Sequence, residues 1–270
     1  MALPSPRPDT TVVVTGASSG IGEAFARELS ERGYDLTLVA RRRKPLRALA
    51  DELPTEARVL TTDLARDSER RRLLDDLADG PDVIGLCNNA GAAAFGSVLE
   101  HDLEDEARMV RTNVVAFHEL AVELARGMVE RGEGAILNAG SITAFAPFPH
   151  NATYSATKAF VQSFSEALHA ELSGTGVSCT VASFGPVRTD IWRRSGWEVA
   201  NVGGDLLWQR PEQAARAAVD AMVAGRRTVT PGITNKVAAI GFALAPRTAW
   251  LPLTRALQSR PVRQALTVDD

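Results

Sequence analysis

The sequence predicts an α/β protein in which about seven parallel strands form a doubly wound sheet with helices on both faces. Three observations carry that prediction. Short β-branched or apolar runs alternate with helix-period segments over residues 11–230. The first run passes through a glycine-rich turn directly into a helix. Glycine and small polar residues recur just beyond the strands, at the carboxyl edge where open parallel sheets hold ligands.

Residues 11–15 (Thr-Val-Val-Val-Thr) read as a buried first strand. Gly16-Ala-Ser18-Ser19-Gly20-Ile21-Gly22 follows, and helical periodicity takes over across residues 23–32. Strand, glycine turn and helix in that order offer free backbone N–H groups and the positive helix end to a phosphate. The glycines allow the tight turn and a close approach, while Ser18 and Ser19 add hydroxyl donors. The spacing is Gly-x-x-x-Gly-x-Gly rather than the commoner Gly-x-Gly-x-x-Gly, and the missing P-loop lysine argues against ATP hydrolysis. Residues 35–40 read as the second strand. An acid at its end would grip ribose hydroxyls and reject a 2′-phosphate; Arg41 and Arg42 stand there instead. Two guanidiniums suit a phosphate monoester by charge and fork geometry, which predicts NADP in preference to NAD. A solvated cap on the next helix is the other reading.

Residues 44–53 are helical, with Pro45 tolerated in the first turn. Residues 57–62 form the third strand and lead to Asp63 and Leu64; the Asp63 carboxylate is either an acceptor for an adenine amino group or a turn residue. Residues 67–79 are an amphipathic helix stopped by Gly80-Pro81. Residues 83–87 are the fourth strand, closed by Asn88-Asn89-Ala90-Gly91, which suits either backbone approach to a cofactor or a turn. A long helical pattern over residues 102–131 carries Asn113 in mid-run. Asparagine is a poor helix-interior residue, so either it faces solvent or its amide is wanted inside. Residues 134–139 are the fifth strand and lead to Ser141.

The stretch from Ser141 to Lys158 is the most pointed chemically. Tyr154 and Lys158 stand four apart on one helix face, and Ser141 sits at a strand's carboxyl end. A free phenol titrates near pH ~10. A nearby ammonium favours phenolate and is expected to pull that value toward neutrality. A tyrosine so tuned can pass a proton to or from a carbonyl or alcohol oxygen. An amphipathic helix that merely carries both residues is the alternative. Residues 177–183 form the sixth strand, ending in Phe184-Gly185-Pro186-Val187-Arg188-Thr189. Residues 190–210 lack a clear period and hold Trp192, Trp197 and Trp208, as a substrate loop or as packing against the body of the domain. Pro211 opens another helix, and a short strand falls near residues 228–230. From residue 233 an apolar extension runs to residue 270. It covers the cleft, meets a partner or rests on a membrane surface, and its proline breaks weigh against the last.

At 270 residues the chain suits one large domain with a well-buried core. A net charge of −3 and a pI near 5.9 argue against nucleic acid as a partner, since phosphate binding needs a basic field. The basic runs at residues 41–44 and 70–72 are short, and the second reads as a solvated face. Cys87 and Cys179 fall in apolar runs and read as small buried hydrophobes in a reducing, cytoplasmic setting. Residues 1–8 lack a signal-peptide core and read as a flexible lead-in. No run reaches the ~18 apolar residues of a spanning helix.

Taken together, these motifs resemble the short-chain dehydrogenase/reductase family. The family's Thr-Gly-x-x-x-Gly-x-Gly matches residues 15–22, its Asn-Asn-Ala-Gly matches residues 88–91, and its Ser, Tyr-x-x-x-Lys and helix Asn match Ser141, Tyr154, Lys158 and Asn113. The likeness spans residues 10–232 and implies a Rossmann-like domain. It implies that Tyr154 is the acid–base residue, that Lys158 lowers its pKa and binds the nicotinamide ribose, that Ser141 holds the substrate oxygen, and that Asn113 anchors a relay water. Gly16, Ser18, Ser19, Gly20, Ile21, Gly22, Arg41, Arg42, Asp63, Leu64, Asn88, Ala90, Gly91, Val187 and Thr189 match the cofactor-binding places. The implied activity is NADP-dependent interconversion of a ketone or aldehyde and an alcohol, on a rather apolar substrate, by a homodimer or homotetramer. A cofactor-binding regulatory or scaffolding protein is the competing reading, which the complete set of four groups disfavours. A sugar-nucleotide epimerase fits poorly, for want of room and glycine spacing. Two departures stand out: Phe184 where the family has proline, and Gly85 where a larger apolar residue is usual.

Overall fold

The structure, a computed structural model, describes residues 2–189, 208–252 and 254. Its strands are β1 (Thr10–Thr15), β2 (Leu36–Ala40), β3 (Ala57–Thr61), β4 (Asp82–Asn88), β5 (Gly134–Ser141), β6 (Val177–Phe184) and β7 (Thr228–Val229). Among the described residues they form one seven-stranded sheet in the order β3-β2-β1-β4-β5-β6-β7, and every pairing is parallel. The order reverses between β1 and β4, so a crevice opens there at the carboxyl edge. Alternation along the strands builds two cores. Val12, Val14, Leu36 and Leu38 pack against α1 (Gly20–Glu31), α2 (Arg43–Glu52) and α7 (Pro211–Val223). Val13, Val39, Leu86 and Ile136 face α3 (Asp67–Ala78) and α5 (Phe117–Arg131) on the other side.

The long helix expected over residues 102–131 is interrupted. Between α4 (Leu103–Val110) and α5 the chain makes a π-helical stretch, Arg111–Ala116, which contains Asn113. An extra residue in the turn re-aims the side chains around it, a device found often at functional sites.

The lead-in is not loose. Leu3 is 1% exposed, the Ala2 N–H donates to the Val223 carbonyl at 3.1 Å, and the Tyr34 hydroxyl donates to the Pro4 carbonyl at 2.9 Å. This strap explains Gly85. A Cβ at that position would meet Leu3 Cδ1 at 2.9 Å and both Val12 methyls at 3.1 Å, so the volume a larger residue would fill belongs to Leu3. Phe184 has its own reason: it is buried and packs its ring 6.2 Å from Phe25, anchoring the loop after β6 by contact rather than by a proline ring. The run at residues 70–72 is only partly a solvated face. Arg71 and Arg72 are exposed, but Arg70 is buried, ion-paired to Glu119 and donating to the Leu64 carbonyl at 3.0 Å.

Candidate active site

The glycine turn leaves β1 and enters α1 at the crevice. Gly16 and Gly20 adopt φ of +69° and +63°, conformations that side chains disfavour. A Cβ on Gly22 would lie 2.3 Å from the Gly16 carbonyl oxygen, so no side chain fits. Ser19 occupies the N-cap of α1 without capping it. Its hydroxyl instead accepts from Arg42 Nη2 at 3.1 Å, as do the Ser18 hydroxyl and carbonyl, each at 3.1 Å. The first N–H groups of α1 therefore point at the crevice with no side-chain acceptor from Ser19, beside a guanidinium held over two hydroxyls. Ile21 packs onto the core below.

Asn89 braces this turn. Its side-chain amide donates to the Thr15 carbonyl at 3.0 Å, and the Asn89 and Ala90 N–H groups both donate to Thr15 Oγ1 at 2.9 Å. Asn88 does something different. It is buried, and its amide donates to the Phe117 carbonyl at 2.8 Å, so its side chain ties β4 to α5. Sequence reading assigned no role to Asn89 or Thr15 individually; the second Asn of a doublet and the last residue of a strand carry no distinguishing local signal.

Asp63 follows β3 beside the buried Leu64. Its carboxylate accepts from the Ala65 N–H at 3.2 Å, the turn role, and from Arg108 Nη2 at 2.6 Å. Burial alone would push this carboxyl up, but Arg108, the Ala65 N–H and the charge of Arg41 hold it below its ordinary value. Val187 is buried in the loop after β6 and bridges in parallel to Gln209. Thr189 lies over the glycine turn: a Cβ on Gly20 would sit 3.0 Å from its methyl carbon. The glycine turn and the β6 loop thus approach from opposite sides of the crevice.

Ser141, Tyr154, Lys158 and Asn113 converge at the other end. Tyr154 and Lys158 lie one turn apart in α6 (Ala152–Glu171), with Lys158 Nζ 5.6 Å from the Tyr154 ring centroid. The buried Nζ donates to the Ala139 carbonyl at 2.8 Å. Ser141 Oγ accepts from the Thr143 hydroxyl at 2.9 Å and its N–H at 3.2 Å, and its hydroxyl acts on the Tyr154 phenol to lower that group's pKa. Asn113 is 2% exposed, which settles the question of solvent. Its amide donates to the Ala92 carbonyl at 2.8 Å and to Thr157 Oγ1 at 3.1 Å, and its oxygen accepts from the Ala92 N–H at 2.8 Å. Gly91 sits between these groups: a Cβ there would be 3.3 Å from Asn113 Oδ1 and 3.8 Å from Lys158 Nζ. Thr143 and Thr157 are further parts that sequence reading missed.

Electrostatics here run against the expectation for Tyr154. Part of the residue reaches solvent, but the packing around the phenol pushes it up to about 12, with the Ser141 hydrogen bond pulling the other way. Burial brings the Lys158 ammonium down to about 8. The reason is geometric. Lys158 stands over the ring, with its proton on the Ala139 carbonyl, so desolvation outweighs the attraction between the two groups.

One wall of the cleft is aromatic. The Phe95 and Tyr154 ring centroids are 6.3 Å apart. The Phe95 loop is pinned by His101, whose Nε2 lies 3.3 Å from the Phe95 carbonyl and whose Nδ1 lies 2.6 Å from Glu106, a contact that raises the imidazole's pKa. Opposite, α8 (Ile233–Leu244) lies on the 3-10 turn Ile142–Phe145. Phe148 packs 5.3 Å from both Phe242 and Trp250, and Trp250 Nε1 donates to the Pro147 carbonyl at 2.9 Å. The inner face of the extension therefore covers the loop between Ser141 and Tyr154. Of the expected substrate loop, residues 190–207, with Trp192 and Trp197, lie outside the described residues; Trp208 is partly buried, 5.7 Å from the Arg188 guanidinium.

A glycine turn opening a helix and a Tyr–Lys pair on one carboxyl edge are the features of a class, the dinucleotide-dependent oxidoreductases. A family model described as short chain dehydrogenase matches residues 10–198. Sulfoacetaldehyde reductase 2 of Chromohalobacter salexigens is 34% identical over 259 residues, 94% of this chain and 95% of that protein. The NADP-dependent 3-hydroxy acid dehydrogenase YdfG of Salmonella typhi is 38% identical over 176 residues, 63% of this chain and 69% of that protein. Among solved structures, a short-chain dehydrogenase from Sphingobium yanoikuyae in complex with NADPH superposes with a TM-score of 0.77 at 32% identity, covering 97% of this chain and 96% of that one. The chain belongs to the short-chain dehydrogenase/reductase family and is an oxidoreductase of that kind.

Proposed function

We propose that the chain is a single-domain, NADP(H)-dependent carbonyl reductase, reversible as an alcohol dehydrogenase, in which Tyr154 supplies the proton. The convergence of Ser141, Tyr154, Lys158 and Asn113 around Gly91, one crevice away from the glycine turn, carries this reading. The residues present fit a nicotinamide dinucleotide. The turn at residues 16–22 and the N–H groups of α1 would hold the diphosphate. Arg41 and Arg42, with Ser18, would hold a 2′-phosphate; Asp63 and Leu64 would flank adenine. The Ala90–Gly91 backbone and Lys158 would meet the nicotinamide ribose, and the Val187–Thr189 loop would meet the carboxamide. Bound there, the cofactor supplies the hydride.

The chain's own part is orientation and the proton. Ser141 and Tyr154 place two hydroxyls on one substrate oxygen. Tyr154, protonated at neutral pH, gives its proton to that oxygen as the carbon gains hydride. Lys158 would hold ribose hydroxyls, and Asn113 fixes the Ala92 backbone and Thr157 beside it, where a relay water would sit. Phe95, Phe148, Phe242 and Trp250 favour an apolar substituent on the carbonyl. Exposed Val110, Val115 and Phe160, with Phe160 stacked 5.9 Å from Phe164, support a second copy against the π-turn and α6. Two free buried cysteines suit a cytoplasmic setting.

The test is direct hydride tracing. Turnover of a panel of apolar ketones and aldehydes with NADPH carrying deuterium at C4 should give alcohols deuterated at the former carbonyl carbon. Tight NADPH binding without any labelled alcohol across the panel would reject the reductase reading.

A further inference from the structure

The outer face of α8 has no part in the cleft. Ile233, Val237, Ile240 and Leu244 are 84%, 65%, 51% and 77% exposed. Spaced four, three and four residues apart, they fall in one stripe. The opposite face, with Asn235, Ala239 and Phe242, is the one that packs inward. A helix apolar on both faces is normally covered on both.

Charge says by what. From residue 221 to residue 268 the sequence has seven arginines and lysines and not one aspartate or glutamate. With seven cations here, the chain's net charge of −3 leaves −10 for the remainder. Lys236 and Arg247, both exposed, flank the stripe. A second copy meeting this face across a two-fold axis would set these cations against themselves. A twelve-residue helix also falls short of the ~1,200 Å² that stable pairs bury. An anionic bilayer offers both an apolar boundary for the stripe and negative charge for its flanks.

We infer that the outer face of α8 docks on an anionic lipid surface, with α8 lying in the headgroup plane. Among the described residues no helix is long and apolar enough to cross a membrane, so the contact is peripheral. Pro246 is no obstacle, because it lies beyond Leu244, where both the stripe and the helix end. The same helix covers the loop between Ser141 and Tyr154, so docking sets the cleft beside the lipid.

The experiment is vesicle sedimentation of the full chain, which needs no turnover and stands apart from the reductase reading. Vesicles of phosphatidylcholine with about 30 mol% phosphatidylglycerol should pellet the protein, pure phosphatidylcholine should not, and about 0.5 M salt should release it. The variant carrying Ile233→Ser, Val237→Ser, Ile240→Ser and Leu244→Ser should lose vesicle affinity by about tenfold or more, with its melting temperature unchanged. Lys236→Glu with Arg247→Glu, on exposed positions, should lose the preference for anionic vesicles. Protein that stays in the supernatant with anionic vesicles overturns the inference. So does equal pelleting of parent and variants. A fall in solution mass in the serine variant, without vesicle binding by the parent, would overturn it in favour of a copy-to-copy interface.

Discussion

Lys158 is held at a cost to stability, and removing it should reveal that cost. Burial brings its ammonium from 10.5 to about 8. At 1.36 kcal/mol per pKa unit, charging it in the fold costs about 3 kcal/mol relative to water. Lys158→Met fills similar space with no charge. It also orphans the Ala139 carbonyl that Nζ now occupies at 2.8 Å, a loss of about 1–2 kcal/mol. The variant should therefore be more stable than the parent at pH 7 by about 1–2 kcal/mol, seen as a melting temperature higher by about 2–6 °C, while turnover collapses. The pH dependence has a definite sign. The folded pKa lies below the unfolded one, so between about 8 and 10.5 the unfolded chain binds more protons. Parental stability should rise relative to the variant's across that window, so the variant's advantage should shrink. Burial also raises the Cys87 and Cys179 thiols above 9.0 and Tyr154 above 10.0, which opposes this in parent and variant alike, so the difference between the two proteins carries the signal. Urea unfolding of both proteins at pH 7, 8, 9 and 10 measures it. A variant less stable than the parent at pH 7, or an advantage that grows with pH, would refute the reasoning.

Other consequences can be checked separately. In the reducing direction Tyr154 stays protonated to about 12 while Lys158 loses its charge near 8, so kcat/KM should be flat from pH 6 to 7 and fall by up to ~tenfold per pH unit above about 8; a flat profile to pH 10 would contradict it. Arg42→Ala should weaken NADPH binding ~10–100-fold and NADH binding little, with a smaller selective loss for Arg41→Ala; equal losses for both cofactors, read by fluorescence titration, would contradict phosphate recognition. Gly85→Val should destabilise by about 1–3 kcal/mol because its Cβ meets Leu3 and Val12. Adding Leu3→Ala should then cost less than Leu3→Ala does alone, and simple additivity in denaturant melts would show that the strap is not what fills that volume.

Much of this was legible in the sequence, for identifiable reasons. β-branched runs fixed the strands, and helix spacing put Tyr154 and Lys158 on one face. The glycine turn announced itself because Gly16 and Gly20 need positive φ and Gly22 admits no Cβ. Asn113 was visible as an asparagine in an unsuitable place, but the π-turn that aims it was not, since the helical period on either side runs on. Long-range packing was illegible too. Nothing local says that Leu3 fills the space beside Gly85, that Arg70 alone of its run is buried, or that Asn88 turns toward Phe117. The phenol's pKa was misjudged because spacing gives the distance to Lys158 but not the desolvation both groups share.

Whether Tyr154 is the proton donor is tested most directly by one comparison. Tyr154→Phe keeps the ring beside Phe95 and removes only the hydroxyl. NADPH affinity should stay within about threefold of the parent while kcat on a verified carbonyl falls by ~100-fold or more. Undiminished turnover in that variant, with NADPH bound as before, would contradict the account.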